Sequence, residues 1–160
     1  MQIASLLEEA FVAVNMPATT KDEALMKLVD MLGASPNVLD LDKVRAAIVE
    51  REKIMSTGVG HGFAIPHAKV DALTDIVAAF ATLQNPVDFQ ALDGQPVRIV
   101  FMLVGRETHV GTHLKLLSRV SRLMNNETFR EQLLLAASPA DVVQLFQEEE
   151  NRYFETRTTS

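Results

Sequence analysis

Two long apolar runs constrain the fold of this 160-residue chain more than any other feature. Residues 76–83 (IVAAFATL) and 97–104 (VRIVFMLV) are almost continuously hydrophobic, and Asn, Asp, Gly and Pro residues that favour turns lie around them. A strand with one face in water would alternate apolar and polar residues, and these runs do not. The sequence therefore predicts two central strands, each covered by helices on both faces.

The helices that would supply this cover have clear start signals. Most follow a residue whose side chain can accept a hydrogen bond from a backbone N–H of the first turn. The predicted helices are residues 21–32 after Thr20, a second that follows Asp40 or Asp42 and runs to about Lys53, residues 111–124, residues 127–135 after Asn126, and a last helix from Pro139 after Ser138.

The helix over residues 111–124 has an apolar face that is predicted to pack on the sheet. The members of that face are Leu114, Leu117, Val120 and Leu123 or Met124. Segments 11–14 and 63–65 are weaker strand candidates. The economical architecture is an α/β fold, a three-layer α/β/α sandwich with a mixed central β-sheet flanked by helices.

Composition excludes several classes of function. The chain has 15 Lys and Arg against 21 Asp and Glu, a net charge of −6, and it lacks the positive field that drives nucleic-acid binding. It has no cysteine, so disulfides, iron–sulfur clusters and thiol nucleophiles are excluded. No apolar stretch approaches the roughly 20 residues of a spanning helix, and acids stand where a secretory signal has bases. We expect a cytoplasmic domain over residues 1–147, with a polar tail over 148–160 that frays.

Three of the seven glycines lie between Thr57 and Gly62. Alternating glycines permit positive φ angles, and successive N–H groups can then form a concave anion site. A tight loop between a helix and a strand is the alternative, and it is the commoner origin of such a pattern. The segment is neither a Walker loop nor a dinucleotide fingerprint, so a phosphate bound here would not belong to a nucleotide motif.

His67 follows Pro66 and is the candidate nucleophile. Proline fixes its own φ and keeps the preceding residue extended, so the imidazole is delivered from a stiff segment. Neutral histidine is nucleophilic at pH 7 and can carry a phosphoryl group. An ordinary loop or partly buried histidine is the alternative.

Three other side chains bear on this site. His113 lies near the start of a predicted helix, where the helix dipole disfavours a protonated ring, and Arg51 ends the helix before the glycine segment. His109 and His113 are four residues apart, a spacing that can hold a metal, but the H-E-x-x-H motif is absent. His61, among the glycines, is expected to be exposed.

Taken together, Arg51-Glu52 and the segments 56–60 (STGVG), 64–67 (AIPH) and 112–114 (THL) resemble a known family. It is the IIA domain of the mannitol/fructose class of the phosphoenolpyruvate-dependent sugar phosphotransferase system (EIIA type 2), which includes a nitrogen-regulatory branch. The resemblance spans nearly the whole chain and implies a three-layer α/β fold. His61 and His109 depart from the family's usual residues.

The resemblance also implies a function. His67 would accept a phosphoryl group through Nε2 from the phosphocarrier HPr and pass it to a cysteine of a IIB domain for sugar uptake, with no cofactor and with the membrane involved only through a permease. In the nitrogen-regulatory branch, phosphorylation of His67 would instead switch binding to kinases or transporters. The supporting residues would be His113 beside the phosphorylated ring, Arg51 as a positive charge, and Thr57, Gly58, Gly60 and Gly62 as hydroxyl and backbone donors.

Overall fold

In the computed structural model, which describes residues 2–155, six strands form one mixed sheet. The strands are β1 (Val12–Met16), β2 (Gly58–Gly60), β3 (Phe63–Ala64), β4 (His67–Val70), β5 (Val77–Val87) and β6 (Val97–Arg106). Their order is β1-β5-β6-β3-β2, and β4 pairs with β6 beyond β3. The pairs β1/β5, β3/β6 and β4/β6 are parallel, whereas β5/β6 and β2/β3 are antiparallel. The predicted mixed sheet is confirmed.

Five α-helices flank this sheet within the described residues. They are α1 (Lys21–Leu32), α2 (Leu41–Ile54), α3 (Val110–Met124), α4 (Glu127–Leu135) and α5 (Pro139–Glu150). Four of them begin as predicted, because a side-chain oxygen accepts a first-turn N–H. The capping residues are Thr20, Asp40, Asn126 and Ser138. None of the helices in residues 2–155 combines the length and apolarity needed to cross a bilayer.

The two faces of β6 explain its continuous hydrophobicity. Val100, Met102 and Val104 pack into one cluster with α1 and α2. The alternating residues Ile99, Phe101 and Leu103 pack into the other cluster with α3, α4 and α5. Because successive side chains of a strand point to opposite faces, a strand buried on both sides needs an apolar residue at every position. The three-layer prediction is therefore confirmed.

The strands differ from the predicted limits at their ends. β5 continues past its apolar run to Val87, which pairs with Val97 after a shift in register. β6 continues past its apolar run to Arg106, which pairs with Val70 of β4. β1 begins at Val12, since residues 9–11 form a short 3₁₀ turn. Extended pairing, rather than apolar composition, sets these ends.

The predicted buried face of α3 is wrong in part. Leu114 is 61% exposed, whereas Leu116 and His113 are buried. The buried positions 113, 116, 120, 123 and 124 follow helical spacing from His113. Packing of the His113 ring against the sheet thus rotates the helix away from the face that the leucines alone indicate.

The prediction that the chain frays from Glu148 is wrong for the end of α5. This helix runs to Glu150, and Glu150 is 1% exposed. Its carboxylate accepts hydrogen bonds from the N–H groups of Ile3 (2.6 Å) and Ala4 (2.7 Å). A charged side chain predicts a solvated position, but the Glu150 carboxylate binds the N-terminal segment. Residues Asn151–Glu155 continue as a short π-helical segment. Residues 156–160 of the predicted tail lie outside the described residues.

Candidate functional site

A cavity of about 640 Å³ lies at the edge of the sheet, between α2, β4 and α3. Arg51 from α2, His67 from β4 and His113 from α3 all line it. Lys69 and Glu107 line the same cavity. The structure therefore brings together the three side chains that the sequence singled out from distant segments.

His67 is the first residue of β4, and its backbone is paired with Leu103 of β6. Its Nδ1 lies 2.7 Å from the carbonyl oxygen of Ile65. A carbonyl oxygen can only accept, so this hydrogen bond assigns the proton of the neutral ring to Nδ1. Nε2 then carries the lone pair and is the nucleophilic nitrogen.

The environment of His67 favours this neutral form. Burial lowers the pKa of the ring below its usual 6.5, and the hydrogen bond to Ile65 offsets part of that effect. The positive charges of Arg51 and Lys69 lower the pKa further, while the negative charge of Glu52 raises it. At pH 7 the ring is therefore neutral and its Nε2 is available to react.

His113 is almost fully buried beside His67. Its ring centroid lies 5.9 Å from that of His67, and only 3% of the residue is exposed. Neither ring nitrogen has a hydrogen-bond partner in the described part of the protein. A buried unpaired nitrogen is unfavourable, which makes it a ready partner for a ligand oxygen.

Burial, together with the charges of His67 and Lys69, lowers the pKa of His113 to about 4. The unfolded ring, with its ordinary pKa of 6.5, takes up a proton at a pH where the folded ring does not. The free energy of unfolding should therefore fall by about 3 kcal/mol as the pH drops from 6.5 to 4. Above pH 6.5 the ring is neutral in both the folded and the unfolded state, so this loss of stability is absent there.

Urea denaturation of the wild type and His113→Gln across this pH range measures the effect. The variant should lack this part of the pH dependence. His109→Gln, which changes an exposed histidine four residues earlier, should keep it. Equal pH dependence in wild type and His113→Gln would contradict the assignment.

Gly105 of β6 makes room for the His113 ring. A Cβ at this position would lie 2.5 Å from His113 Nδ1, well inside van der Waals contact. The sequence marked Gly105 only as the end of an apolar run. Its role becomes visible once β6 and α3 are packed together.

We expect Gly105→Ala to displace the His113 ring and to lower the free energy of unfolding by about 1–3 kcal/mol, as overpacked cores do. Urea denaturation and the NMR shifts of the His113 ring measure both changes. Gly111→Ala is the matched control, because its added Cβ would meet nothing within 4 Å. An unmoved His113 ring in Gly105→Ala would refute the steric argument.

Lys69 is the site residue that the sequence reading missed. His67 and Lys69 are two apart on β4, and a strand places such residues on one face. The period-two pattern after the proline was the signal that could have found it.

Arg51 lies in the last turn of α2 and donates to the carbonyl of Met55 (3.2 Å). With Arg51 and Lys69, the cavity holds two cations that can stabilise a dianion.

The glycine segment forms a tight turn, the alternative to an anion site, but this turn joins the strands β2 and β3 instead of a helix and a strand. Gly58–Gly60 pairs antiparallel with β3, and Gly60 (φ 108°) and Gly62 (φ 80°) form the turn around an exposed His61. The N–H of His61 donates to Asp93 (3.1 Å). Within the described residues, the three glycines do not line the cavity that holds His67. Their role as phosphate donors stays a prediction of the resemblance.

The polar groups of Thr57 bind Glu52 and the backbone of Ile65. Its N–H (2.9 Å) and its hydroxyl (2.8 Å) both donate to the carboxylate of Glu52. Its carbonyl accepts the N–H of Ile65 at 3.0 Å. Thr57 therefore contacts the backbone that holds His67, and its hydroxyl is engaged by Glu52.

Within the described residues, His109 and His113 at the start of α3 have no third ligand for a metal. His109 is exposed at the N-terminal end of α3, whereas His113 is buried. Among residues 2–155 no group of three His, Asp or Glu side chains is placed to hold a metal ion. The spacing of four residues alone therefore carries no metal site.

Comparison with known proteins gives consistent matches across this fold. The model of the family "Phosphoenolpyruvate-dependent sugar phosphotransferase system, EIIA 2" matches residues 5–149. The chain is 36% identical over 145 residues to the fructose-specific EIIABC component of Bacillus subtilis, which covers 91% of this chain and 23% of that protein. It is 36% identical over 140 residues to the fructose-specific EIIA component of Haloferax volcanii, covering 88% and 91%.

Proteins with a regulatory name match as well. A nitrogen regulatory protein of Bradyrhizobium diazoefficiens is 35% identical over 136 residues, covering 83% of this chain and 86% of that protein. The crystal structure of nitrogen regulatory protein IIA-Ntr from Neisseria meningitidis has a TM-score of 0.83 at 29% identity, covering 90% of this chain and 98% of that one. Fructose-specific and regulatory relatives thus match at similar identity.

Proposed function

The chain belongs to the EIIA 2 family of the phosphoenolpyruvate-dependent sugar phosphotransferase system, and on that premise we propose that His67 accepts a phosphoryl group from the phosphocarrier HPr and donates it to a cysteine of a IIB domain. The transfer would serve uptake of a sugar of the fructose/mannitol class. The proposal places the protein in the cytoplasm, where phosphoenolpyruvate is made. Its main support is one observation: the Ile65 carbonyl fixes the proton of His67 on Nδ1 and leaves Nε2 free in a cavity with two cations.

The acceptance step is an exchange of one N–P bond for another. The lone pair of His67 Nε2 attacks phosphorus, the N–P bond of the donor phosphohistidine breaks, and the donor imidazole leaves with that electron pair. The ring of His67 becomes positively charged while it keeps its proton on Nδ1. The carbonyl of Ile65 stabilises this charge through a hydrogen bond of 2.7 Å.

The surroundings of the ring suit phosphoryl transfer, which depends on positioning and charge stabilisation more than on covalent help. Arg51 and Lys69 would offset the charge on the phosphoryl oxygens. His113, neutral because its pKa is about 4, has an N–H that is free to donate to one of these oxygens. A protonated His113 would instead repel the charged ring of phosphorylated His67.

The donation step reverses the first. A cysteine thiolate of the IIB domain attacks phosphorus, an S–P bond forms, and the N–P bond breaks with its electron pair returning to Nε2. His67 is then neutral again with its proton on Nδ1. Because this chain has no cysteine, the thiolate belongs to sequence outside these 160 residues.

The experiment that tests this proposal follows the phosphoryl group through the relay. The protein is incubated with enzyme I, HPr and phosphoenolpyruvate, and its intact mass is measured before and after addition of a IIB domain of the fructose class. The proposal expects a gain of one phosphoryl group that is lost to IIB. A protein that gains nothing from phospho-HPr would overturn it.

The nitrogen-regulatory function is a second candidate, favoured by the structural match to IIA-Ntr at a TM-score of 0.83. In that case the phosphoryl group on His67 would switch binding to a kinase or transporter. Affinity capture with the phosphorylated and unphosphorylated protein tests the switch. Different partners in the two states favour regulation, whereas identical partners and efficient transfer to IIB favour sugar uptake.

A further inference from the structure

Glu52 is a buried carboxylate that the proposed transfer does not use. It follows Arg51 in α2, and its side chain is 5% exposed. Lys21 of α1 lies 2.7 Å from it, and Thr57 donates two hydrogen bonds to it. A charge out of water is tolerated only with such partners. The group thus joins α1, α2 and the segment before β2 at one point.

Hydrogen bonds lead from this point to the reactive ring. Glu52 holds the N–H and the hydroxyl of Thr57, and the carbonyl of Thr57 accepts the N–H of Ile65 at 3.0 Å. The carbonyl of Ile65 accepts Nδ1–H of His67 at 2.7 Å. Because Pro66 follows, Ile65 is restricted to an extended backbone, and a shift of its N–H moves its carbonyl as well. Glu52 therefore positions, through Thr57, the carbonyl that selects the tautomer of His67.

We propose that Glu52, paired with Lys21, is a positioning residue that fixes the Nδ1–H tautomer of His67 through Thr57 and Ile65. It acts without touching the phosphoryl group or the partner protein. Its effect on the rate rests on the proposed function, whereas its effect on the tautomer concerns the unphosphorylated protein alone. Buried partners that orient a reacting imidazole set its tautomer and direction in the same way in other histidine sites.

The inference separates two consequences of Glu52→Gln. The amide keeps the size of the side chain but has one oxygen where the carboxylate has two. It can therefore not accept both hydrogen bonds from Thr57 in the same way, and it has no charge to pair with Lys21. The Ile65 carbonyl is then held less firmly, and its hydrogen bond to Nδ1–H of His67 weakens. The Nε2–H tautomer, which cannot attack through Nε2, becomes populated. The maximum rate of phosphorylation should fall about tenfold, since small misplacements of reacting groups reduce rates steeply. The apparent KM for phospho-HPr should stay unchanged, because Glu52 is buried.

The test combines NMR of the histidine ring nitrogens, which reports the tautomer, with the rate of phosphorylation by phospho-HPr. Lys21→Met/Glu52→Gln removes both charges, so that no buried ammonium is left unpaired and folding is preserved. Thr57→Val is the milder variant, which loses only the hydroxyl. Asp42→Asn, at a 92% exposed side chain in the first turn of α2, is the matched control.

The inference expects a measurable Nε2–H population and a reduced maximum rate in the double variant, smaller changes of the same sign in Thr57→Val, and none in Asp42→Asn. A pure Nδ1–H tautomer in both the double variant and Thr57→Val would overturn it. A wild-type protein that accepts no phosphoryl group would defeat the proposed function instead, and the tautomer measurement would still decide the role of Glu52.

Discussion

Replacing His67 with alanine should abolish phosphorylation by phospho-HPr, because the variant loses the ring that presents a free Nε2 to the cavity with its Nδ1–H bound to the Ile65 carbonyl. Alanine offers no lone pair, so the loss is complete rather than a reduced rate. Intact mass after incubation with enzyme I, HPr and phosphoenolpyruvate measures it. Urea denaturation should show a folded variant, since His67 lies at the edge of the sheet.

Two further histidine variants make this prediction sharper. His113→Ala should remain phosphorylatable but react on the order of 100-fold more slowly, the usual effect of removing one donor from a charge-stabilising site. His109→Ala, at an exposed ring, should react at the wild-type rate. A phosphorylated His67→Ala protein would show that another residue is the acceptor.

Replacing Glu150 with alanine should cause the largest loss of stability. The buried carboxylate accepts the N–H groups of Ile3 and Ala4 and lies 3.7 Å from Arg119 of α3. Hydrogen bonds to a charged group contribute about 1.5–3 kcal/mol each, and the variant leaves two N–H groups unpaired. The free energy of unfolding should fall by on the order of 3 kcal/mol or more. For a domain of this size the Tm should fall by roughly 6–12 °C.

Thermal and urea denaturation measure this change, with Glu148→Ala as the control. Glu148 lies two residues earlier on α5 and is exposed, with a single bond from Gln144. Its loss should change the free energy of unfolding by less than about 0.5 kcal/mol. Equal stability of the two variants would mean that the contact between the two ends of the domain contributes nothing.

The features that the sequence predicted well depend on neighbouring residues. A helix start needs only a side-chain oxygen and an N–H three residues later, and Thr20 and Ser138 behave accordingly. The two apolar runs predicted a sheet covered on both sides because burial alone determines that pattern. The same reasoning placed Pro66-His67 at a stiff position, and the resemblance joined it to Arg51 and His113.

The features that the sequence did not predict depend on distant residues. The contact of Glu150 with Ile3 spans 147 positions, so nothing near Glu150 distinguishes it from a solvated acid. The buried face of α3 follows from His113 packing on Gly105, a fit that appears only when helix and strand are assembled. The glycine segment is compatible with an anion site and with a tight turn, and the pairing of β2 with β3, which forms the turn, depends on residues outside the glycine pattern.

The most direct test of the central claim is ¹⁵N and ³¹P NMR of the phosphorylated protein, labelled with ¹⁵N in its histidines. We predict a coupling between phosphorus and Nε2 of His67, with the proton still on Nδ1 and the rings of His61, His109 and His113 unphosphorylated. Phosphorus bonded to Nδ1 of His67, or to any other histidine, would contradict the account, because the carbonyl of Ile65 would then not be what directs the reaction to Nε2.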